Sequence, residues 1–498
     1  DKLDGGVTIR IPKKLHYLYV ASPLIFYLLA DVDFGEPAIL CEGGYEQPLP
    51  KFPRFEDSIA EVLEKVFFMD CMVRNSGLYK LEMYELEALK TTGLDLNELY
   101  NLRISEQLPR YMSIPTEKLR PYMPTWHLAS YVEPKVERAR ALPFLLNSLS
   151  TIHLPRSVKI SPKDVTKLSV CELFRGNVLE EVTEKSIAKP VLKSAQHHLW
   201  LSREKPIDAA KADVDAFYNQ LKYRADKDLI EVALVLNDAK MIDERKMVEG
   251  IYSKRKEVPL RIKIFDFLKK DELAGVFQKG YDLVHYIGHC EERGLQCSDG
   301  FLRARDIPKN NTPTFFLNAC KSYEEGMDLI RTGSIGGVIT LYYVPNAQAL
   351  KIGYTFSRLL SYGFPMGEAI RLAKMGRISG RDYLVLGNEG YSLIQGDTNM
   401  SVVHEITESE DDFFILKSKS LQSSEMGRYV YFYFDGPHYH LLFSEHAVKM
   451  SRERLKEFID QIKDYTEPII YKNNLYFDGE FTLEALADFK KIKKGKIV

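Results

Sequence analysis

The feature that most limits what this chain can fold into is an alternation of strand-length apolar runs and amphipathic stretches between about residues 230 and 373. "IEVALVLND" (230–238) is a continuous apolar run, "ERKMVEGIYSKRK" has helical spacing, "LRIKIFD" (260–266) alternates, "KDELAGVFQKG" is a short helix and "YDLVHYIGH" is again a strand. "GLQCSDGFLRARDI" reads as a hairpin about Asp299-Gly300. Strand "PTFFLNAC", helix "SYEEGMDLIRTG", strand "GGVITLYYV" and helices "NAQALKIGYTFSRLLSYG" and "PMGEAIRLAKM" follow. Strands joined by helices through short connections pair in parallel. Their sheet is buried on both faces and presents side chains to a crevice at the carboxyl ends of its strands. The expected fold is therefore α/β, a mostly parallel sheet with helices on both faces.

Either side of this region the pattern changes. Residues 7 to about 55 hold strand-like pieces ("VTIRIP", "LHYLYV", "PAILCEG") and a proline-rich loop. Two amphipathic helices are predicted next, one with Ile59, Val62, Leu63, Val66 and Phe67 on its apolar side and one over "LYKLEMYELEALKTTG". Between 100 and 200, Pro109, Pro115, Pro121, Pro124, Pro134, Pro143 and Pro155 restrain the backbone, and loops with short strands are expected. The last hundred residues read as a small α+β module: "DDFFILKSK", an aromatic hairpin about "DGP", a helix "SRERLKEFIDQIKDY" and "PIIYKNNLYFDG", then a basic tail "KKIKKGKIV" that reads as a solvated end.

At 498 residues, 45% apolar and 28% charged, the chain has globular composition and needs no disulfide or metal staple to make a core. A net charge of −2 gives no global pull toward nucleic acid or an anionic membrane, so direct nucleic-acid binding is not expected. Apolar runs such as "YVASPLIFYLLADV" fall short of the roughly 20 residues that span a bilayer. No membrane association is expected. The opening "DKLDGGVTIRIPKK" has no signal-peptide pattern and no initiator methionine, so secretion is not expected and this end reads as trimmed. Cys41, Cys71, Cys171, Cys290, Cys297 and Cys320 show no framework spacing, as in the reducing cytoplasm.

Chemistry concentrates in "HYIGHC" (285–290). Were this a helix, His285 and His289 could share a metal. On a strand, positions four apart stand about 13 Å from each other, too far for two ligands each about 2 Å from one ion. No metal and no cofactor are expected. His285, mid-strand, reads as a core imidazole or a group supporting the site. His289 follows Gly288 at the carboxyl end of its strand. Cys320 ends "TFFLNAC" in the same way. Two neighbouring strand ends would give a thiol and an imidazole one cleft, the arrangement of a nucleophile and its base. A buried, inert cysteine fits the spacing equally well.

These residues also carry a resemblance. "HYIGHC…GLQCSDGFLRARDI…FFLNACKSYEEGMDLIRTGSIGGVITLYYV", continuing to about residue 397, resembles the CHAT domain, a caspase-like group of cysteine proteases that includes relatives of separase. The resemblance spans residues 205–397. It implies a caspase-like sheet, His289 as general base, Cys320 as nucleophile, and the backbone N–H groups of Cys290 and Cys320 as oxyanion hole. Asp238 and Asn318 occupy places that resemble the floor of the substrate pocket in members cleaving after basic residues; Asp238 could equally cap the next helix. No triad acid is assigned. The family has glycine where this chain has Cys290, which matters if that position needs a positive φ; a second thiol there could also lock Cys320 by oxidation.

The implied function is a cysteine endopeptidase acting on a protein substrate. Residues 1–200 would form a regulatory or docking region and 400–498 a separate module, with an activating protein or small-molecule ligand at these flanks. The other class of reading is a silent caspase-like interaction scaffold. "RTGSIGG" is not followed by Gly-Lys-Ser/Thr, so a phosphate loop is not expected.

Overall fold

Ten strands form the central sheet, numbered here β1–β10 in chain order: Leu128–Val132 (β1), Thr151–His153 (β2), His197–Leu201 (β3), Ala210–Lys211 (β4), Ile230–Leu236 (β5), Leu260–Asp266 (β6), Leu283–Ile287 (β7), Thr314–Asn318 (β8), Gly336–Thr340 (β9) and Tyr383–Gly387 (β10). The structure is a computed structural model. It describes residues 5–77, 80–90, 92–158, 187–223, 229–254, 260–342, 344–375, 382–394, 401–409, 413–421, 427–432, 438–441, 445–463, 465, 467–477 and 479–481. Cys171, the "DGP" turn and the basic tail lie outside the described residues.

The strand order is β6-β5-β7-β8-β9-β10-β4-β3-β1-β2. From β6 to β9 every neighbour is parallel, β9 and β10 are antiparallel, and from β10 to β2 all neighbours are parallel again. Two parallel five-stranded halves thus run in opposite directions and meet at β9 and β10. The sequence read the first half and missed the second. It placed a boundary near residue 200, but β1–β3, from before that point, are hydrogen-bonded through β4 and β10 into the same sheet.

Helices cover both faces of the first half. On one face Val232, Leu234, Leu236, Ile287 and Phe316 share a core with Val248 and Tyr252 of the helix Ile242–Lys254 and with Ile352 and Phe356 of the helix Asn346–Ser361. On the other, Ala233, Val235, Val284, Tyr286, Phe315 and Leu317 pack on the helices Lys270–Lys279 and Tyr323–Thr332. Each fully buried Val, Leu, Ile or Phe contributes about 1.5–3 kcal/mol. That double burial explains why these strands read as unbroken apolar runs rather than as alternation.

Three expectations for the N-terminal part are corrected. "LHYLYV" opens a helix, Leu15–Leu28, that buries Tyr17, Tyr19, Val20, Ala21, Pro23, Leu24 and Leu28; Pro23 leaves the Tyr19 carbonyl without its helical donor, and Ser22 Oγ donates to it at 2.8 Å. The second predicted helix shrinks to a 3-10 turn at Tyr84–Leu89, whereas the first is present as Phe55–Asn75. Between 100 and 200, Pro109 sits inside the helix Ile104–Ser113 and Pro143 occupies the first turn of Leu142–Asn147, where its missing N–H costs nothing.

The C-terminal module has a five-stranded sheet, ordered 445–451, 413–420, 402–408, 469–471, 474–476, under the helix Arg452–Ile462. Its aromatic hairpin, Tyr429–Tyr431 paired with Tyr439–Leu441, reaches back to the N-terminal region. The Leu441 N–H donates to Glu85 Oε1 at 2.8 Å, and Tyr84 stacks on His440 with centroids 5.3 Å apart.

Candidate active site

The site is built by register. Leu236 of β5 pairs with Ile287 of β7, and Ile287 with Asn318 of β8. Two residues further along each chain stand Asp238, His289 and Cys320. Neighbouring strands lie about 4.8 Å apart, so these registers bring the ends of the three strands side by side, and the three residues sit in the loops that follow. The Asn237 N–H donating to the Ile287 carbonyl at 2.9 Å carries the pairing past the strand end.

His289 Nε2 stands 3.0 Å from Asp238 Oδ2; the imidazole is 45% exposed and the carboxylate 11%. Asp238 Oδ1 accepts the Lys240 N–H at 3.0 Å, capping the turn that follows β5. The sequence offered Asp238 two roles, capping or pairing with a basic substrate group. It caps, and its second oxygen, which has no hydrogen-bond partner, faces His289.

The loops carrying these groups are pinned. Gly288 is required sterically, since a Cβ there would come 2.8 Å from Tyr286 Oη. The one hydroxyl proton of Tyr286 is within reach of the carbonyls of Gln296 (2.8 Å from Oη) and His289 (3.1 Å), and the Gln296 N–H donates to the His289 carbonyl at 2.9 Å. Beside Cys320, Thr340 Oγ1 donates to the Ala319 carbonyl at 2.5 Å and the Ser322 N–H to the Thr340 carbonyl at 3.0 Å. Lys321, exposed, takes φ 56°. A non-glycine residue in the left-handed region next to a half-exposed thiol is strain held by its surroundings, which gathers at functional turns.

Cys290 opens a short hairpin strand and pairs with Leu295. The bond from the Gln296 N–H to the His289 carbonyl makes Cys290–Leu295 a non-hydrogen-bonded pair, so the Cys290 N–H points away from the hairpin. Cys290 is not among the residues with positive φ. Cysteine in place of glycine is therefore unstrained here. Its thiol is buried and pushed up to about 12, by burial first and then by Glu325, Cys320 and Glu291. A thiol held neutral in this way is not a nucleophile.

Asn318 departs from its expected role. It is 2% exposed; its Nδ2 donates to Glu244 Oε1 (2.5 Å) and to the Ala349 carbonyl (3.2 Å), and its Oδ1 accepts from Tyr383 Oη at 2.7 Å. The amide is committed to the interior instead of a substrate pocket. Burial pushes the Glu244 carboxyl up to about 8. His285 is also interior, lowered to about 3 by burial, with its ring 4.7 Å from Phe316. Among the described residues no group of three or more His, Cys, Asp or Glu is placed to hold a metal ion. No helix among them is long and apolar enough to cross a membrane.

No protein-family model matches the chain, and neither does any curated protein sequence. Among solved structures it is similar to a complex of Porphyromonas gingivalis RgpB pro- and mature domains, with 9% identity, a TM-score of 0.37, and 59% of this chain and 86% of that one covered. A structure of the Arg-specific cysteine proteinase gingipain R gives 10% identity and 0.37 over 59% and 84%. A Saccharomyces cerevisiae separase–securin complex gives 14% identity and 0.28, over 40% of this chain and 16% of the other.

Proposed function

We propose that this chain is a caspase-like cysteine endopeptidase whose site is Asp238–His289–Cys320. The observation that carries the reading is the alignment of these residues two positions beyond the in-register pairs Leu236–Ile287 and Ile287–Asn318, with His289 Nε2 3.0 Å from Asp238 Oδ2. In this reading His289 takes the Cys320 proton and Sγ attacks the substrate carbonyl carbon. The new oxyanion is held by the N–H groups of Cys290 and Cys320, each such donor being worth about 3 kcal/mol. The tetrahedral adduct collapses with its amine leaving group protonated by His289, and water then hydrolyses the thioester with His289 as base. Asp238 orients the imidazole.

The substrate in this reading is a protein. The mixed α/β part before residue 126 and the C-terminal module flank the sheet and would gate the site, through an activating protein or ligand, in a reducing cytoplasm. Wild type and Cys320→Ala would be incubated with a denatured-proteome peptide library at pH 7.5 in reductant, with new termini identified by mass spectrometry. New termini made by wild type alone support the reading and give the residue preferred before the cut. Identical patterns, together with no covalent capture of Cys320 by an electrophilic peptide, would leave a scaffold.

A further inference from the structure

A cavity of about 690 Å³ lies on the other half of the sheet, among the helices Leu142–Asn147 and Val214–Lys222 and the loop after β10. Phe144, Leu145, Leu199 and Phe217 line it, the two phenyl rings stacked at 5.0 Å. His197 and Glu389 form a polar wall shared with a second cavity of about 240 Å³. None of the candidate peptidase residues borders either space.

The wall is unbalanced. Glu368 is matched, its Oε2 accepting Arg371 Nε at 2.8 Å and Nη2 at 2.5 Å. His197, 3% exposed, holds Nε2 3.7 Å from Glu368 Oε1 and Nδ1 3.9 Å from Glu389 Oε1, and Nε2 has no hydrogen-bond partner. Glu389 receives the His198 backbone N–H, but its Oε1 is buried with no partner. Burial lowers the proton affinity of His197, and Glu389 is pushed up to about 8 by burial and by Glu368. The larger space is lined about equally by apolar and polar side chains, Asn147, Gln220 and Asn388 among the latter, and a buried acceptor left unmade there costs about 1–3 kcal/mol.

We propose that this cavity binds a small organic amine, its apolar body held among Phe144, Leu145, Leu199 and Phe217 and its ammonium group donating to Glu389 Oε1. The ammonium supplies the donor that Glu389 Oε1 lacks, and its charge favours the ionised form of that carboxyl. A metal ion is a poorer fit, because each imidazole nitrogen has only one carboxylate beside it.

The test uses the full chain and two probes of nearly the same shape, phenethylamine and the neutral 2-phenylethanol, titrated calorimetrically. Saturable binding of the amine at least tenfold tighter than of the alcohol is expected. Glu389→Gln should bring the amine down to the level of the alcohol, and Cys320→Ala should leave its binding unchanged, since the site is independent of the peptidase reading. Equal affinity for the two probes, no binding of the amine, or amine binding unaffected by Glu389→Gln would overturn the proposal. If Glu389→Gln fails to fold, the two probes on wild type still decide.

Discussion

Two sets of acid, imidazole and nucleophile-type side chain, one in the C-terminal module and one at the strand ends, differ in their exposure. In the C-terminal module, His404 Nδ1 lies 2.5 Å from Ser418 Oγ and Nε2 lies 2.9 Å from Glu467 Oε2. Both ring nitrogens are within hydrogen-bonding distance of a partner. The set is sealed: Ser418 is 0% exposed and His404 2%, with the Phe458 ring edge-on at 4.9 Å. No carbonyl can reach that hydroxyl, and the set is a hydrogen-bonded core. At the strand ends His289 is 45% exposed and Cys320 half-buried on a strained turn. Position relative to solvent, more than residue identity or hydrogen-bond length, decides which constellation can do chemistry.

Exchanging the roles experimentally breaks the comparison most sharply. On whichever peptide the library yields, Cys320→Ala should lower kcat/KM by about 10⁴-fold or more, whereas Ser418→Ala should leave it within about twofold and appear only in the melting temperature. Asp238→Asn should cost about 10²-fold or more in kcat with KM nearly unchanged, since the residue acts through His289. His404→Ala should leave kcat alone below the melting transition and lose about 2–4 kcal/mol in urea unfolding, because Glu467 and Ser418 are then buried without partners.

A pH titration of stability sharpens the contrast between exposed and buried acids. Glu244 sits at about 8 in the folded chain against about 4.3 when free. Between those values the folded state keeps a proton that the unfolded state has lost. The stabilisation is whole below about pH 4, falls as pH rises with a slope of up to about 1.4 kcal/mol per pH unit, and is gone above pH 8. Glu389, also held at about 8, adds a term of the same sign. Glu244→Gln should flatten the slope over that window in chemical denaturation. The smallest effect is expected for Cys290→Ser, which keeps the backbone N–H. Activity should stay within about threefold.

Much of this was legible in the sequence, for identifiable reasons. The first half of the sheet is built from consecutive β-α-β units with strands buried on both faces, so each strand announces itself. The second half is not, because Ala210–Lys211 has only two residues, β1 and β3 pair across a long stretch of chain, and Pro109 and Pro143, read as loop prolines, sit within a helix and in a first helical turn. The helix Leu15–Leu28 hid behind a proline and an apolar surface that packs on several sides. His289 and Cys320 were readable as strand-end residues. Asp238 was readable as well, in "VLND", "YIGH" and "LNAC", where each last residue stands two past the registered position; what the sequence lacked was the register making β5 and β7 neighbours. Asn318 was misjudged because alternation gives its face but not the carboxylate of Glu244 waiting there.

The most direct test of the strand-end site needs neither substrate nor activator. Native wild type and His289→Ala would be treated with limiting iodoacetamide at pH 7, and alkylation of each cysteine followed by peptide mass spectrometry. The account predicts that Cys320 reacts faster than Cys41, Cys71, Cys290 and Cys297, all of which are buried, and that its rate falls at least tenfold in His289→Ala while the slow thiols are unchanged. Equal Cys320 rates in the two proteins would contradict it, because the imidazole would then have no hold on the thiol.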